Sequence, residues 1–459
     1  MLERLERHIG TDSRFLELRL HRNHSRRSAM RRGSVIENSA SSHAGVSARS
    51  HAFGTFGFSS LPAEDDRAIA DAIAEARANA DLIGRRAGYT DRPLPAAAPG
   101  QGVYDYRAQK SKLPRAVRLD LLAEIDAYIK SRYPDVINAD IAIGEFATER
   151  ALVTSDGART YSFSPRADLT VVLSAEGEGG VVQLYKTIGG FGEFEDQHEA
   201  FRNFAAAVDE LHEDLRRKAE GVFCEAGVHD VVLDSDVAGI LAHEAIGHTC
   251  EGDLVLAGSV ASGRIGEEVA SGKITLIDQA GRGFDGGAPV AIHVDDEGTA
   301  CRDAPIIESG VLKGYLHNKS TALDLDAAPT GNARAFAFSD EPIVRMRNTA
   351  IMPGADSLAD MIGAIDKGYY LKRSTNGQAD LTSEFMFGVG CGYEIRNGKI
   401  GRAIRDTTIS GVAFDVLRAV THVGKDFAWS VGGWCGKKTP IAVGMGGPAI
   451  KTRLTVGGR

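Results

Sequence analysis

Apolar and polar residues alternate in FLELRLHR (residues 15–22), the two-residue period of a half-buried strand. Small, serine-rich, strand-like text continues over residues 34–60 and closes on the glycine-punctuated AFGTFGFSS. The pattern then changes. Pro62 opens an alanine-rich helix predicted to run to residue 83, with Gly84 as its stop signal. Residues 91–113 form a Pro/Gly-rich connection, and a second helix is expected over residues 115–132. Residues 139–189 read as strand after strand, reversing at Asp156-Gly157 and in EGEGG (176–180), as in an antiparallel meander. Phe201, Phe204, Ala205, Val208, Leu211 and Leu215 then recur at helical spacing, which predicts one long helix over residues 195–219 with a packing stripe.

Beyond that helix the text turns to short buried strands. Residues 230–234 predict one, Ser235 or Asp236 is placed to cap a new helix, and Val237, Ile240 and Leu241 give that helix its apolar face. Residues 306–317 predict a hairpin around Ser309-Gly310, and residues 393–404 another around Asn397-Gly398. The fold class expected is α+β: an N-terminal mixed sheet-and-helix domain over residues 1–225, then a mainly antiparallel β domain over residues 226–459 that carries the new helix. No internal repeat and no low-complexity tract interrupts this organisation.

Bulk properties narrow the function. A chain of 459 residues is too long for one ordinary core, so two domains are expected. A net charge of −9 argues against nucleic acid, and the nine arginines against four acids in residues 1–33 read as a solvated surface. No apolar run of about 18 residues and no apolar leader segment is present, so a cytoplasmic protein without a membrane span is expected. Five scattered cysteines do not form a disulfide framework, which leaves at least one as a ligand or a small buried apolar residue.

The chemistry concentrates in LAHEAIGHTCEGD (241–253). It approaches the zinc-protease pattern H-E-x-x-H, but His243 and His248 are five apart. In a regular helix a spacing of four separates two side chains by about 40°, and a spacing of five by about 140°. The bland alternative is a helix with two unrelated histidines. A single wide turn of about 4.4 residues would instead bring the pair to within about 50°, and Gly247 is expected to tolerate that irregularity. Glu244 would then face a metal-bound water as general base, with Glu251 and Asp253 orienting the histidines from behind. A catalytic zinc needs a third protein ligand. Cys250, His293, His317, Cys391, His422 and Cys435 are candidates, and the residues alone leave the choice open.

That segment, together with GSVASGRIGEEVA (258–270), GNARAFAFSDEPIVRMRNTAIMPG (331–354) and GGWCGKKTPIAVGMGGPAI (432–450), resembles the TldD branch of the TldD/PmbA metalloprotease family. The likeness is strong from about residue 230 onward and weaker before it. The resemblance implies zinc held by His243, His248 and Cys435, with Glu244 as general base in the hydrolysis of unfolded or short peptides. It also implies either an inactive PmbA/TldE-like partner or a second copy of the chain, enclosing the site in a dimer cavity. A strand edge near the metal would hold an extended peptide by its backbone. The alternative within the family is a non-catalytic zinc-containing regulatory or partner subunit. The chain departs from the family pattern at Lys438-Thr439, where C-G-K-x-G-Q is usual, and at Ala333 and Ala335, where G-N-G-R-R is usual. These departures are expected to bear on substrate contacts more than on the metal.

Overall fold

The structure is a computed structural model that describes residues 1–10, 14–88 and 90–457. It has the α+β architecture expected, built on two large sheets. The first sheet contains β1 (Leu16–Arg31), β2 (Ser34–Ala52), β3 (Thr55–Leu61), β4 (Gln101–Asp105), β5 (Val136–Thr154), β6 (Arg159–Gly177) and β7 (Gly180–Phe191), in the order β3-β2-β1-β5-β6, with β4 and β7 both on β6. Every pairing in it is antiparallel except β4 with β6. The alternating text ends at residue 22, but β1 continues to Arg31 because β2 and β5 hydrogen-bond it on both sides. The first half of β2 is largely exposed, so solvation rather than burial sets its composition and no alternation marks it. β4 lies inside the Pro/Gly-rich segment read as a connection, and a parallel strand of five residues leaves no turn signature there.

Helices cover one face of this sheet. α1 (Leu2–Glu6) and α2 (Asp66–Ala87) bury Leu5, Ile69, Ala72 and Ala76 against Leu18, Leu20 and Val46. α2 starts four residues later than expected, at an Asp65 cap, and runs through Gly84 to the left-handed Gly88 (φ 67°). Gly84 is no stop signal: a Cβ there would meet the Phe53 Cβ at 2.6 Å, so the helix needs a glycine to lie against that ring. α3 (Ala116–Arg132), α4 (Phe194–Arg202) and α5 (Ala205–Ala219) fill a second core with β5, β6 and β7. The helix expected over residues 195–219 is two helices broken at Asn203 and Phe204. Phe201, Phe204 and Leu211 stay buried across the break, which is why the periodicity conceals it.

The second sheet begins with β8 (Gly227–Leu233), and Asp234 rather than Ser235 or Asp236 caps the following α6 (Ser235–Ile240) by accepting the Val237 N–H. Then come β9 (Leu276–Gln279), β10 (Ala304–Glu308) and β11 (Val311–Leu312), the ribbon β12 (Ala333–Arg334) with β13 (Ile343–Val344), and β14 (Asn348–Ile351). β15 (Lys367–Ala379), β16 (Glu384–Arg396), β17 (Lys399–Ile404), β18 (Thr407–Val412) and β19 (His422–Ser430) follow, then the ribbon β20 (Trp434–Cys435) with β21 (Ile441–Ala442), and finally β22 (Gly444–Val456). Both predicted hairpins form, with Ser309 and Gly310, and Asn397 and Gly398, at positive φ. Because β22 pairs with both β18 and β8, the run β8-β15-β16-β18-β22 closes on itself. Val237, Leu241, Ala245 and Ile246 pack into its core with Phe387, Ile409 and Ile450. The two sheets meet through buried polar contacts: Arg49 donates to Glu297 at 2.6 Å, and Arg166 of β6 donates to the Gly433 carbonyl at 3.2 Å. The first sheet therefore abuts the loop that carries Cys435.

Candidate metal centre

The segment after α6 does not continue as a regular helix. Residues Leu241–Gly247 form a π-helical stretch in which the His248 N–H donates to the His243 carbonyl, and a turn of 3-10 helix, His248–Cys250, follows. Widening the turn by one residue brings positions five apart onto one side. The two imidazoles accordingly face each other, with centroids 5.1 Å apart and planes at 78°. Gly247 serves a different purpose from the one its flexibility suggests. Its φ of −55° and ψ of −51° are ordinary helical values, but a Cβ there would sit 1.9 Å from the Met346 sulfur. The glycine is required by close packing beneath the histidines.

One donor atom from each of His243, His248 and Cys435 lies within 4.8 Å of the other two. His243 is fully buried and neither of its ring nitrogens is hydrogen-bonded, an arrangement that costs about 1–3 kcal/mol for an unsatisfied buried polar group. His248 turns Nδ1 to the buried Glu251 carboxylate at 2.7 Å and Nε2 to the Cys435 sulfur at 3.3 Å. Burial alone would push the Cys435 thiol up, but the His243 and His248 imidazoles beside it pull it down to about 3, so it is a thiolate at neutral pH. Burial likewise pushes the His248 imidazole down, and Glu251 and Cys435 override it, holding it well above the usual histidine range. Two imidazoles and a thiolate converging around one point, one imidazole with both nitrogens unsatisfied, fit a borderline-soft divalent cation such as zinc.

The surroundings hold this geometry in place. Lys437 bridges the Glu251 carboxylate (3.0 Å), Asp253 (2.8 Å) and the Val344 carbonyl (3.0 Å), tying the cysteine loop to the acid behind His248. Glu251 orients His248 as the sequence suggested, whereas Asp253 reaches Lys437 and not a histidine. The buried Arg345 donates to the carbonyls of Cys435 (2.8 Å), Lys437 (2.7 Å) and Thr439 (3.0 Å). Arg334 spans the Met346 and Ala442 carbonyls, and Asn332 joins Asp278 to the Arg345 carbonyl. Arg334 directly, and Asn332 through the Arg345 backbone, thus brace the cysteine loop. Glu244 lies at the edge of the cluster: its carboxylate is 3.6 Å from His248 Nε2, is 18% exposed, and carries no hydrogen bond among the described residues.

The other candidate ligands lie apart from this cluster. Cys250 is buried against Thr249, and burial pushes its thiol up to about 12. His293 stacks on Tyr104 and bonds the Tyr106 hydroxyl at 2.7 Å. His317 bonds Thr321, Cys391 faces the Lys372 carbonyl, and His422 bonds the adjacent Thr421. Sequence reasoning missed the work of Lys437 and Arg345. The available signal was Arg345 and Arg347 alternating with apolar residues in IVRMRN, since a cation in buried strand text needs partners.

Two histidines from one irregular helix and a cysteine from the β20 ribbon thus converge as a donor set that fits a metal ion, in an α+β chain. The chain belongs to the PmbA/TldD metallopeptidase family: residues 226–458 match the PmbA/TldA metallopeptidase C-terminal domain and residues 110–221 its central domain. A metalloprotease of Methanocaldococcus jannaschii is 35% identical over 335 residues, covering 72% of each chain. A zinc metalloprotease TldD homolog of Saccharolobus solfataricus is 35% identical over 54% of this chain and 56% of its own. The crystal structure of TldE from Thermococcus kodakarensis superposes with a TM-score of 0.77 at 18% identity, covering 99% of both chains, which establishes a shared fold. Among the described residues no helix is long and apolar enough to cross a membrane.

Proposed function

We propose that the chain is a zinc-dependent peptidase of the TldD type, with His243, His248 and Cys435 as metal ligands and Glu244 as general base. The observation that carries this reading is the convergence of three donor atoms within 4.8 Å around a buried imidazole that lacks any hydrogen bond. A zinc ion in such a set acts as a Lewis acid toward a carbonyl and makes water nucleophilic at neutral pH. Glu251 holds His248 with Nδ1 engaged, so Nε2 faces Cys435 and the cluster. Glu244, partly exposed and free of hydrogen bonds, accepts a proton from the attacking water and returns it to the leaving amine. Arg345 and Lys437 keep the thiolate in register through the loop backbone.

Unfolded or short peptides are the substrate class, because an extended chain can be held by its backbone along a strand edge, which a folded surface cannot offer. The fold shared with a TldE supports a partner of the PmbA/TldE kind, or a second copy of this chain, in the cytoplasm. The test is zinc content and cleavage of an unstructured peptide by the wild type and by Glu244→Gln, with and without a co-expressed PmbA-like partner. The wild type should bind one zinc and cleave, and a chelator should stop it. The variant should keep the zinc and lose turnover. A zinc-loaded wild type that cleaves nothing with or without that partner would leave the regulatory subunit as the better reading.

A further inference from the structure

Arg166 is buried in β6 with 4% exposure, yet its Nε and Nη2 have no hydrogen-bond partner, and its single anchor is Nη1 to the Gly433 carbonyl. No carboxylate lies within ion-pair distance among the described residues. Burial pulls its pKa down, and Asp168, too distant for a salt bridge, opposes this only in part. A desolvated guanidinium with two idle donor groups is costly to maintain and is a strong site for a planar anion.

What surrounds the guanidinium selects that anion. Phe146 lies directly across the strand pair from Arg166. Its ring stacks on Phe336 at 5.8 Å and meets Trp434 edge-on at 5.4 Å, while the Arg166 guanidinium lies 5.3 Å from the Trp434 ring centre. Trp434 precedes Cys435 in the chain, and Cys435 pairs with Ile441. Arg166 also separates two spaces. On one side is a crevice of about 60 Å³ that reaches Ile441 and Ala442, and on the other a cleft of about 790 Å³. The cleft is large enough for several peptide residues, and six lysines and arginines line it against three glutamates. Two of those glutamates, Glu193 and Glu195, are engaged with Lys112 and backbone N–H groups. Arg26, Arg107, Lys112 and Arg118 are already paired with carboxylates, so an anionic chain entering the cleft meets Arg115 and Arg166, which have no carboxylate within ion-pair distance among the described residues, with Arg166 beside the loop that carries Cys435.

We propose that Arg166, with Phe146, Phe336 and Trp434, forms a subsite for a carboxylate of the peptide substrate, either an Asp/Glu side chain or the free C-terminus. This rests on the peptidase reading and narrows its substrate class to peptides that bring a carboxylate beside the scissile bond. Arg166 would make a bidentate, charge-assisted contact, while the aromatic rings pack against the apolar part of the same residue.

The test measures binding separately from turnover. Dye-labelled unstructured hexapeptides that differ by one Glu→Gln exchange, or by a free against an amidated C-terminus, are titrated by fluorescence anisotropy against the full-length Glu244→Gln protein. The same peptides are then assayed for cleavage by the wild type. Removing the recognised carboxylate should weaken binding about tenfold or more, as expected for losing a hydrogen bond to a charged group. Which peptide pair responds identifies the source of the carboxylate. Arg166→Gln should abolish the discrimination, and Arg166→Lys should keep part of it with poorer geometry. In the wild type the loss should raise KM more than it lowers kcat. If the carboxylate and neutral peptides bind alike, the subsite is refuted, whether or not the protein cleaves them. If they bind differently but neither is cleaved, the subsite stands and the peptidase reading fails. Because the peptide pairs are compared on protein with Arg166 intact, the outcome is decisive even if an Arg166 variant does not fold.

Discussion

The backbone N–H of His248 donates to the carbonyl oxygen of His243, five residues earlier, so the hydrogen bond that widens the helix joins the two histidines it brings together. The spacing that looks like a flawed zinc-protease motif is the right spacing for a π turn. The packing underneath supports that turn, because Met346 occupies the volume in which any side chain at position 247 would lie.

Gly247→Ala should therefore destabilise the fold by about 1–3 kcal/mol through overpacking, although the backbone angles at Gly247 suit alanine. Met346→Ala alone should also destabilise it, by opening a cavity. In the double variant each change fills or relieves what the other creates. Chemical denaturation of all four proteins should show the double variant more stable than the sum of the single losses predicts, and strict additivity would contradict the packing argument.

Behind His248, the buried Glu251 carboxylate connects the imidazole at 2.7 Å to Lys437 at 3.0 Å. Glu251→Gln keeps the shape and removes the charge. Zinc affinity, measured by competition with a chromophoric chelator, should fall about 10- to 100-fold, as for other residues that orient metal ligands. An unchanged affinity would mean that Glu251 serves packing alone.

The α+β class, both Gly-centred hairpins and the widened turn between the histidines were legible in the sequence because each is local: two apolar periods, an Asn-Gly or Ser-Gly pair, and a spacing of five that needs a larger turn. Contacts distant in sequence were not. Gly84 read as a helix stop because nothing in its neighbourhood reveals Phe53 beneath it. Gly247 was correctly noticed for a mistaken reason, since Met346 is almost a hundred residues away. The Arg345 grip on three loop carbonyls and the isolation of Arg166 depend on which strands meet, and one sequence does not encode that in any local pattern.

His317, a rejected ligand, should leave a mark on the pH dependence of stability. Burial lowers its pKa from an ordinary 6.5 to about 4, so the folded chain holds it neutral while the unfolded chain protonates it first. Its stabilising contribution is present above the unfolded value of 6.5 and is lost as pH falls through the folded value of about 4. Across that window the wild type should lose stability relative to His317→Gln by up to about 3 kcal/mol, an upper bound from the size of the shift. Urea melts of both proteins at pH 7, 5.5 and 4.5 should show the gap closing or reversing toward acid. A constant gap would mean that His317 titrates alike in both states.

The last prediction separates the two cysteines nearest the histidines. Cys435 contributes a thiolate held at low pKa by both imidazoles, whereas the Cys250 thiol is pushed up to about 12 in an apolar setting beside Thr249. A zinc site with two neutral imidazoles depends on its thiolate for charge and for a short metal bond. Cys435→Ser should consequently strip most of the zinc, while Cys250→Ser should keep a full equivalent and lose about 1–2 kcal/mol of stability as an ordinary buried substitution. Bound zinc by elemental analysis and cleavage of an unfolded peptide would be read on the same purified preparations. A metal-free Cys250 variant alongside a zinc-replete Cys435 variant would reverse the ligand assignment, because the low-pKa thiolate between His243 and His248 would then have no metal to hold.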